Sequence, residues 1–279
     1  MKLRWVVNNY KLFRKVSTPE DYASFVGMSG FMSFGVQPAG PYPQGPDNGW
    51  RYDFTRRPVH NKLLKRYGLD QIAGQGSTFE RTMRVMNWLC AHTYYNGMSF
   101  WTGALPDNGL KILRHTYDKP FKRAINCRHK AIALADCLMA VGINALPVAI
   151  LNLPNNHFIT HVWLPEENRW VMCDPSFSSY ISDPEGRALN LIEIALRFWQ
   201  GEEILVAQYD FNGTQDCRET YLNAFILLSL REIEVYNGTG SKRSDPRNRL
   251  LPEGTTPPDE KLKAISATEL LAEPITLKR

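Results

Sequence analysis

The chain has 279 residues, 43% of them hydrophobic and 22% charged, the composition of an ordinary globular protein able to bury a sizeable core. Its net charge of +5 (33 Lys and Arg against 28 Asp and Glu) admits an anionic ligand but falls short of the basic stripe that nucleic-acid binding needs. No apolar run reaches the roughly 18–20 residues of a membrane span, and five cysteines without a C-x-x-C pair argue against a disulfide framework or a zinc ribbon.

The first residues, "MKLRWVVNNYKLFRK", lack the apolar stretch of a signal peptide, so a reduced, cytoplasmic setting with free thiols is expected. Residues 35–46, "GVQPAGPYPQGP", are dense in Gly and Pro and read as a loop that could serve as a lid. A helix start follows in "AGQGSTFERTMRVMNWLC", where Ser77 and Glu80 have capping-box spacing and Met83, Met86, Leu89 and Cys90 recur on one face. From Lys111 to Lys130 the chain carries seven Lys or Arg against one Asp, the pattern of a solvated face. That run also surrounds Cys127, and it favours an acidic or phosphate-bearing substrate.

"NCRHKAIALADCLMAVG" predicts a helix that begins at Cys127. Asn126 is a preferred N-cap residue, Gly142 stands where a helix stops, and Ala131, Leu134, Leu138 and Val141 form a wide apolar face. Cys127 then sits where unpaired backbone N–H groups and the positive end of the helix dipole gather, beside Arg123, Arg128, His129 and Lys130. Such surroundings lower a cysteine pKa from about 8.5 into roughly the 3.5–7.5 range, and the same N–H groups can hold an oxyanion.

Three strands are predicted next, at Ile143–Leu151, His157–Leu164 and Arg169–Asp174. Closing the second hairpin around Glu166 and Glu167 sets His161 opposite Met172 and makes Asp174 its diagonal neighbour on the same face. In that register Asp174 orients His161, whose other ring nitrogen takes the proton of Cys127. His157 shares the face of His161. A zinc site of His157, His161, Cys127 and Cys173 lacks the usual ligand spacings, and Cys173 points away from the face of Asp174, so no metal is expected. Cys90, Cys137 and Cys217 read as core or incidental. "GRALNLIEIALRFWQGEE" and "ETYLNAFILLSLREIEVY" read as helices, and the residues after Asn237 as a polar linker with a short helix behind it. The N-G-T sequons at Asn212 and Asn237 read as turns.

Three segments in order, "NCRHKAIALADCLMAVGINALPVAI", "HVWL" and "RWVMCDPSF", resemble the transglutaminase-like superfamily, in which a cysteine opens a helix, a histidine sits in an H-x-W strand and an aspartate precedes proline. The resemblance extends over roughly Tyr67 to Gln200, taking in "RVMNWLCAHTYYNG" and "SSYISDPEGRALNLIEI". It implies an α+β, papain-like fold with the cysteine helix on an antiparallel sheet. By the same resemblance Cys127 is the nucleophile, His161 the base and Asp174 its orienting partner. Asn126 and Trp101 become oxyanion candidates, although the spacing of Trp101 departs from that of the animal crosslinking enzymes, and Arg128, His129 and His157 are substrate-binding candidates. Nothing resembles the calcium sites or β-sandwich domains of those enzymes, so no cofactor is expected. The implied division is residues 1–60 as an extension, 61–236 as the catalytic domain and 237–279 as linker and tail. The implied reaction is acyl transfer through a thioester, from a peptide, protein or carrier-bound acyl substrate to water or to an amine acceptor, with no nucleic-acid or membrane partner. The alternative is an inactive scaffold of the same fold.

Overall fold

A computed structural model of the protein describes residues 42, 44–45, 49–97, 108–118, 124–152, 155–210, 218, 221–222, 226, 230–235, 247–252 and 262–274. Five helices come first: α1 (Pro58–Tyr67), α2 (Leu69–Ala73), α3 (Thr78–His92), α4 (Gly109–Thr116) and α5 (Cys127–Ala140). Strands β1 (Ala145–Asn152), β2 (Asn155–Leu164), β3 (Arg169–Asp174) and β4 (Ser179–Ser182) follow, then helix α6 (Leu191–Gln200) and β5 (Leu205–Gln208). The C-terminal part supplies β6 (Glu232–Val235), β7 (Arg247–Leu250), β8 (Leu262–Ile265) and the short helix α7 (Ala267–Leu270). The architecture is α+β, as expected.

The strands form one eight-stranded sheet in the order β5-β4-β3-β2-β1-β6-β7-β8, antiparallel throughout except for the β7–β8 pair. Helix α5 packs on β1 and β2 over the face that carries Ala145, Val162, Val171 and Cys173, where the Thr160 hydroxyl donates to the Ala131 carbonyl. The opposite face carries Leu146, Val148, Ile150, Ile159 and Met172, and a second core closes over it with Phe177, Leu191, Ile194, Tyr221 and Ile233. Alternation along each strand thus feeds two cores from one sheet, and both faces are covered.

Capping chemistry sets the helix starts where the sequence marks them. Ser77 and Glu80 form the capping box of α3, and Glu166 in the β2–β3 turn accepts from both the N–H and the hydroxyl of Thr78, tying that turn to the same helix end. Asn126 accepts from the His129 N–H at the start of α5, and Gly142 beyond its end has a left-handed φ of 82°.

Three sequence expectations change. The basic run hides helix α4, capped by Asn108 and burying Leu110, Ile112 and Leu113; its Lys and Arg lie between apolar positions and masked the period. The end of "ETYLNAFILLSLREIEVY" is strand β6, because Ile233 and Val235 alternate into the core while β1 offers an open edge. The expected linker and tail contribute β7 and β8. Arg249 on β7 reaches across to Glu232 and Glu234 at 2.6 and 2.7 Å, so a polar strand joins the sheet through cross-strand charge pairs rather than apolar pattern. The division at residue 60 falls inside α1, and Tyr42, Tyr52 and Phe54 from the expected extension lie in the core. Most of the Gly/Pro loop, both sequons and Cys217 lie outside the described residues.

Helices α1, α4 and α5 meet at a buried polar knot. Asp136 accepts from the Gly109 N–H at 2.6 Å and lies 3.4 Å from His60 Nε2, while His60 Nδ1 accepts from the Arg57 N–H at 3.1 Å. Because Nδ1 is an acceptor, the ring proton sits on Nε2 and faces the carboxylate. A Cβ at Gly109 would lie 2.9 Å from Asp136 Cβ and 3.3 Å from Ala133 Cα, so only glycine permits this approach. Gly109→Ala should lower stability by about 1–3 kcal/mol through overpacking, read as a drop in the urea midpoint with an unchanged slope.

Candidate active site

The position of Cys127 is set from both sides. Downstream it is the first residue of α5. Upstream, Ile125 exchanges backbone hydrogen bonds with the segment after α3: its N–H donates to the Tyr94 carbonyl at 2.9 Å, and its carbonyl accepts from Asn96 at 3.0 Å. The sulfur is partly exposed and packs against the core that contains Tyr95 and Phe177.

The predicted β2–β3 register is the observed one, with His161 opposite Met172 and Thr160 opposite Cys173. Continued by one pair, it sets Ile159 against Asp174. His157 and His161 are then the two diagonal neighbours of the carboxylate on one face. The structure joins Asp174 to His157: Nε2 lies 2.6 Å from Oδ2, and both side chains are buried. His157 also hydrogen-bonds the Cys127 sulfur, and since Nε2 is taken by Asp174, Nδ1 is the nitrogen left for it. Burial opposes protonation of this imidazole, but the charge of Asp174, the bond to it and the neighbouring Cys127 outweigh burial and push His157 up to about 10.

His161, the residue expected to do this, sits elsewhere. Its Nε2 accepts from the Leu191 N–H at the start of α6 at 3.4 Å, its ring stacks on Trp170, and Nδ1 has no hydrogen-bond partner among the described residues. Burial pushes it down to about 3 and holds it neutral. It shares no described contact with Cys127 or Asp174. Strand parity placed both histidines on the correct face; which diagonal Asp174 takes depends on α6, whose N-terminus claims His161, and no local spacing in β2 or β3 announces that.

The turn after β3 holds Asp174 in place. Asp174 Oδ1 accepts from the Ser176 N–H at 2.8 Å, and the Cys90 thiol donates to the Pro175 carbonyl at 3.0 Å. Cys90, read as core or incidental, thus buttresses the turn. Lys130, one turn along α5 from Cys127, is buried; burial pushes its ammonium down, while Cys90, Asp174 and Asp210 act against that.

Of the other candidates, Asn126 uses its side-chain oxygen as the helix cap, which directs it to the backbone of His129. Trp101 lies outside the described residues. Arg128 lies over the Phe158 ring at 6.0 Å. His129 is buried, and burial, then Arg128 and His115, push it down to about 4, which makes it a core residue rather than a surface contact. Among the described residues Cys90, Cys127, Cys137 and Cys173 are free thiols, and no cluster of three or more His, Cys, Asp or Glu side chains is arranged to hold a metal ion. No described helix is long and apolar enough to cross a membrane.

The half-buried cysteine at the tip of α5, the imidazole beside it and the carboxylate behind that imidazole all lie in a segment similar to a known family. Residues 65–175 match the transglutaminase-like superfamily. No curated protein matches the chain. Among solved structures, "a Putative Cysteine Protease from Cytophaga hutchinsonii" is similar at 16% identity and a TM-score of 0.31. The match covers 42% of this chain and 36% of that one, an overlap too slight to bear on fold or chemistry.

The histidines make stability depend on pH in opposite directions. His161 and His129 are neutral when folded, so the unfolded chain takes up their protons first. Stability should fall as pH drops from about 6.5 toward the values near 3 and 4, by up to about 1.4 kcal/mol per pH unit for each group. His157 acts the other way: its contribution is fully present below about 6.5 and is lost as pH rises through 10. Thermal melts from pH 4 to 10 should show both flanks, and His161→Phe should flatten the acid one.

Proposed function

We propose that the protein is a cysteine-nucleophile acyl-transfer enzyme in which Cys127 attacks, His157 moves the proton and Asp174 holds the imidazole. The observation that carries this reading is the unbroken chain of contacts from Asp174 to His157 to Cys127. An imidazole pushed up to about 10 beside a thiol keeps its proton at neutral pH, which favours a thiolate–imidazolium pair. The thiolate adds to an amide or thioester carbonyl, and the oxyanion that forms meets the N-terminal N–H groups of α5, that of Cys127 first. His157 passes its Nδ1 proton to the leaving amine or thiol, the carbon–heteroatom bond breaks, and a thioester on Cys127 remains. Water or an amine, deprotonated by His157, then releases the acyl group. The superfamily match supports this class of chemistry.

His161 has no part in these steps. Neutral and buried, it serves the junction of β2 with α6. The substrate in this reading is an acyl group on a peptide, protein or carrier, and four free thiols among the described residues suit a reduced cytoplasmic setting.

Thiol alkylation against pH tests the assignment without knowledge of the substrate. His157→Ala should cut the alkylation rate of Cys127 at pH 6.5 by up to about 100-fold, and His161→Ala should leave the profile in place in whatever fraction folds. A sulfur that titrates like free cysteine, at about 8.5, with or without His157 would favour an inactive scaffold instead.

A further inference from the structure

Asp174 is enclosed by more than its histidine. Oδ2 faces His157 Nε2, Oδ1 accepts from the Ser176 N–H, and across the β3–β4 ladder its opposite residue is Ser179. A fourth group comes from outside the segment that matches the superfamily: the buried phenol of Tyr221, which burial, then the charge of Asp174, keeps protonated. The phenol is 1% exposed, with its ring 4.6 Å from Phe177 and 5.9 Å from Tyr209, and Phe177 lies in turn 5.9 Å from the His157 ring. The Tyr221, Ser176 and Ser179 hydroxyls are all buried without a partner in full hydrogen-bond geometry among the described residues. For Tyr221 the groups it faces are the carboxylate and the serine.

A buried phenol loses about 1–3 kcal/mol if its donor is left unmade, and a carboxylate with a free lone pair is the strongest acceptor within reach. The geometry points to Tyr221 as a positioning residue of the site: it donates to Asp174 and so limits the pull of the carboxylate on the His157 proton. An acceptor shared between two donors holds each less tightly. A carboxylate facing His157 alone would bind the imidazolium so firmly that the proton is released to a leaving group only with difficulty. Tyr221 draws part of that negative charge to itself. The inference rests on the Cys127–His157–Asp174 reading for its catalytic meaning, but the hydrogen bond itself does not depend on turnover.

The test is the protonation midpoint of His157 in the full chain, followed by NMR of 15N-labelled histidine. Tyr221→Phe keeps the ring and deletes only the hydroxyl, and it should raise the midpoint by about half to one pH unit. Site-specific replacement of Tyr221 by 3-fluorotyrosine, a stronger donor of nearly the same shape, should lower it. An unmoved midpoint in both proteins, or a fall in Tyr221→Phe, overturns the inference and leaves Tyr221 a packing residue. Should the fluorinated chain alone fold, its shift decides by the same rule. If Cys127 proves unreactive while the two shifts appear, acyl transfer fails and the Tyr221–Asp174 bond stands. If Cys127 depends on His157 while the midpoints do not move, only this inference falls.

Discussion

Two charged groups removed from water are tolerable only when each satisfies the other, and the buried pair of His157 and Asp174 is such a case. The 2.6 Å contact holds a proton on an imidazole that burial alone would strip, beside the sulfur of Cys127. The surroundings serve this pair. The Ser176 N–H fixes one carboxylate oxygen, Cys90 ties down the following proline carbonyl, and Phe177 seals the ring edge. A second histidine on the same face, left outside the pair, shows the opposite fate: His161 gives up its charge and is spent on the end of α6.

The part of the chain that matches the superfamily ends at residue 175, yet the structure that encloses the pair does not. Phe177, Tyr209 and Tyr221 follow it, β6 covers the edge of β1, and β7 and β8 extend the sheet further. Near the start of the described chain, the Tyr42 hydroxyl donates toward the Leu230 carbonyl, and the Trp50 N–H donates to Glu269 of α7. Both ends of the described chain therefore fold onto the second core, on the side of the sheet that carries His157 and Asp174. Keeping water from that side is what allows a single carboxylate to govern the imidazole so strongly.

Much of this was legible in the sequence because it rests on local rules. Asn126 and Gly142 bracket α5, Ser77 and Glu80 open α3, and a short turn around Glu166 leaves one register for β2 and β3. Where local rules are weak the reading failed. Helix α4 lay hidden among basic residues, β6 had apolar content that suits a helix as well as a strand, and β7 joins the sheet through Arg249 and two glutamates.

The amino-acid sequence by itself determined that a cysteine would stand at a helix tip and that two histidines and an aspartate would share a face of one hairpin. These follow from capping and from the two-residue period of a strand, which act over a few neighbouring residues. Only the tertiary structure decided which histidine the aspartate would hold. Both diagonals satisfy the same period, and the choice fell to α6, some thirty residues away from β2, whose first N–H occupies His161 and leaves His157 for Asp174 and Cys127.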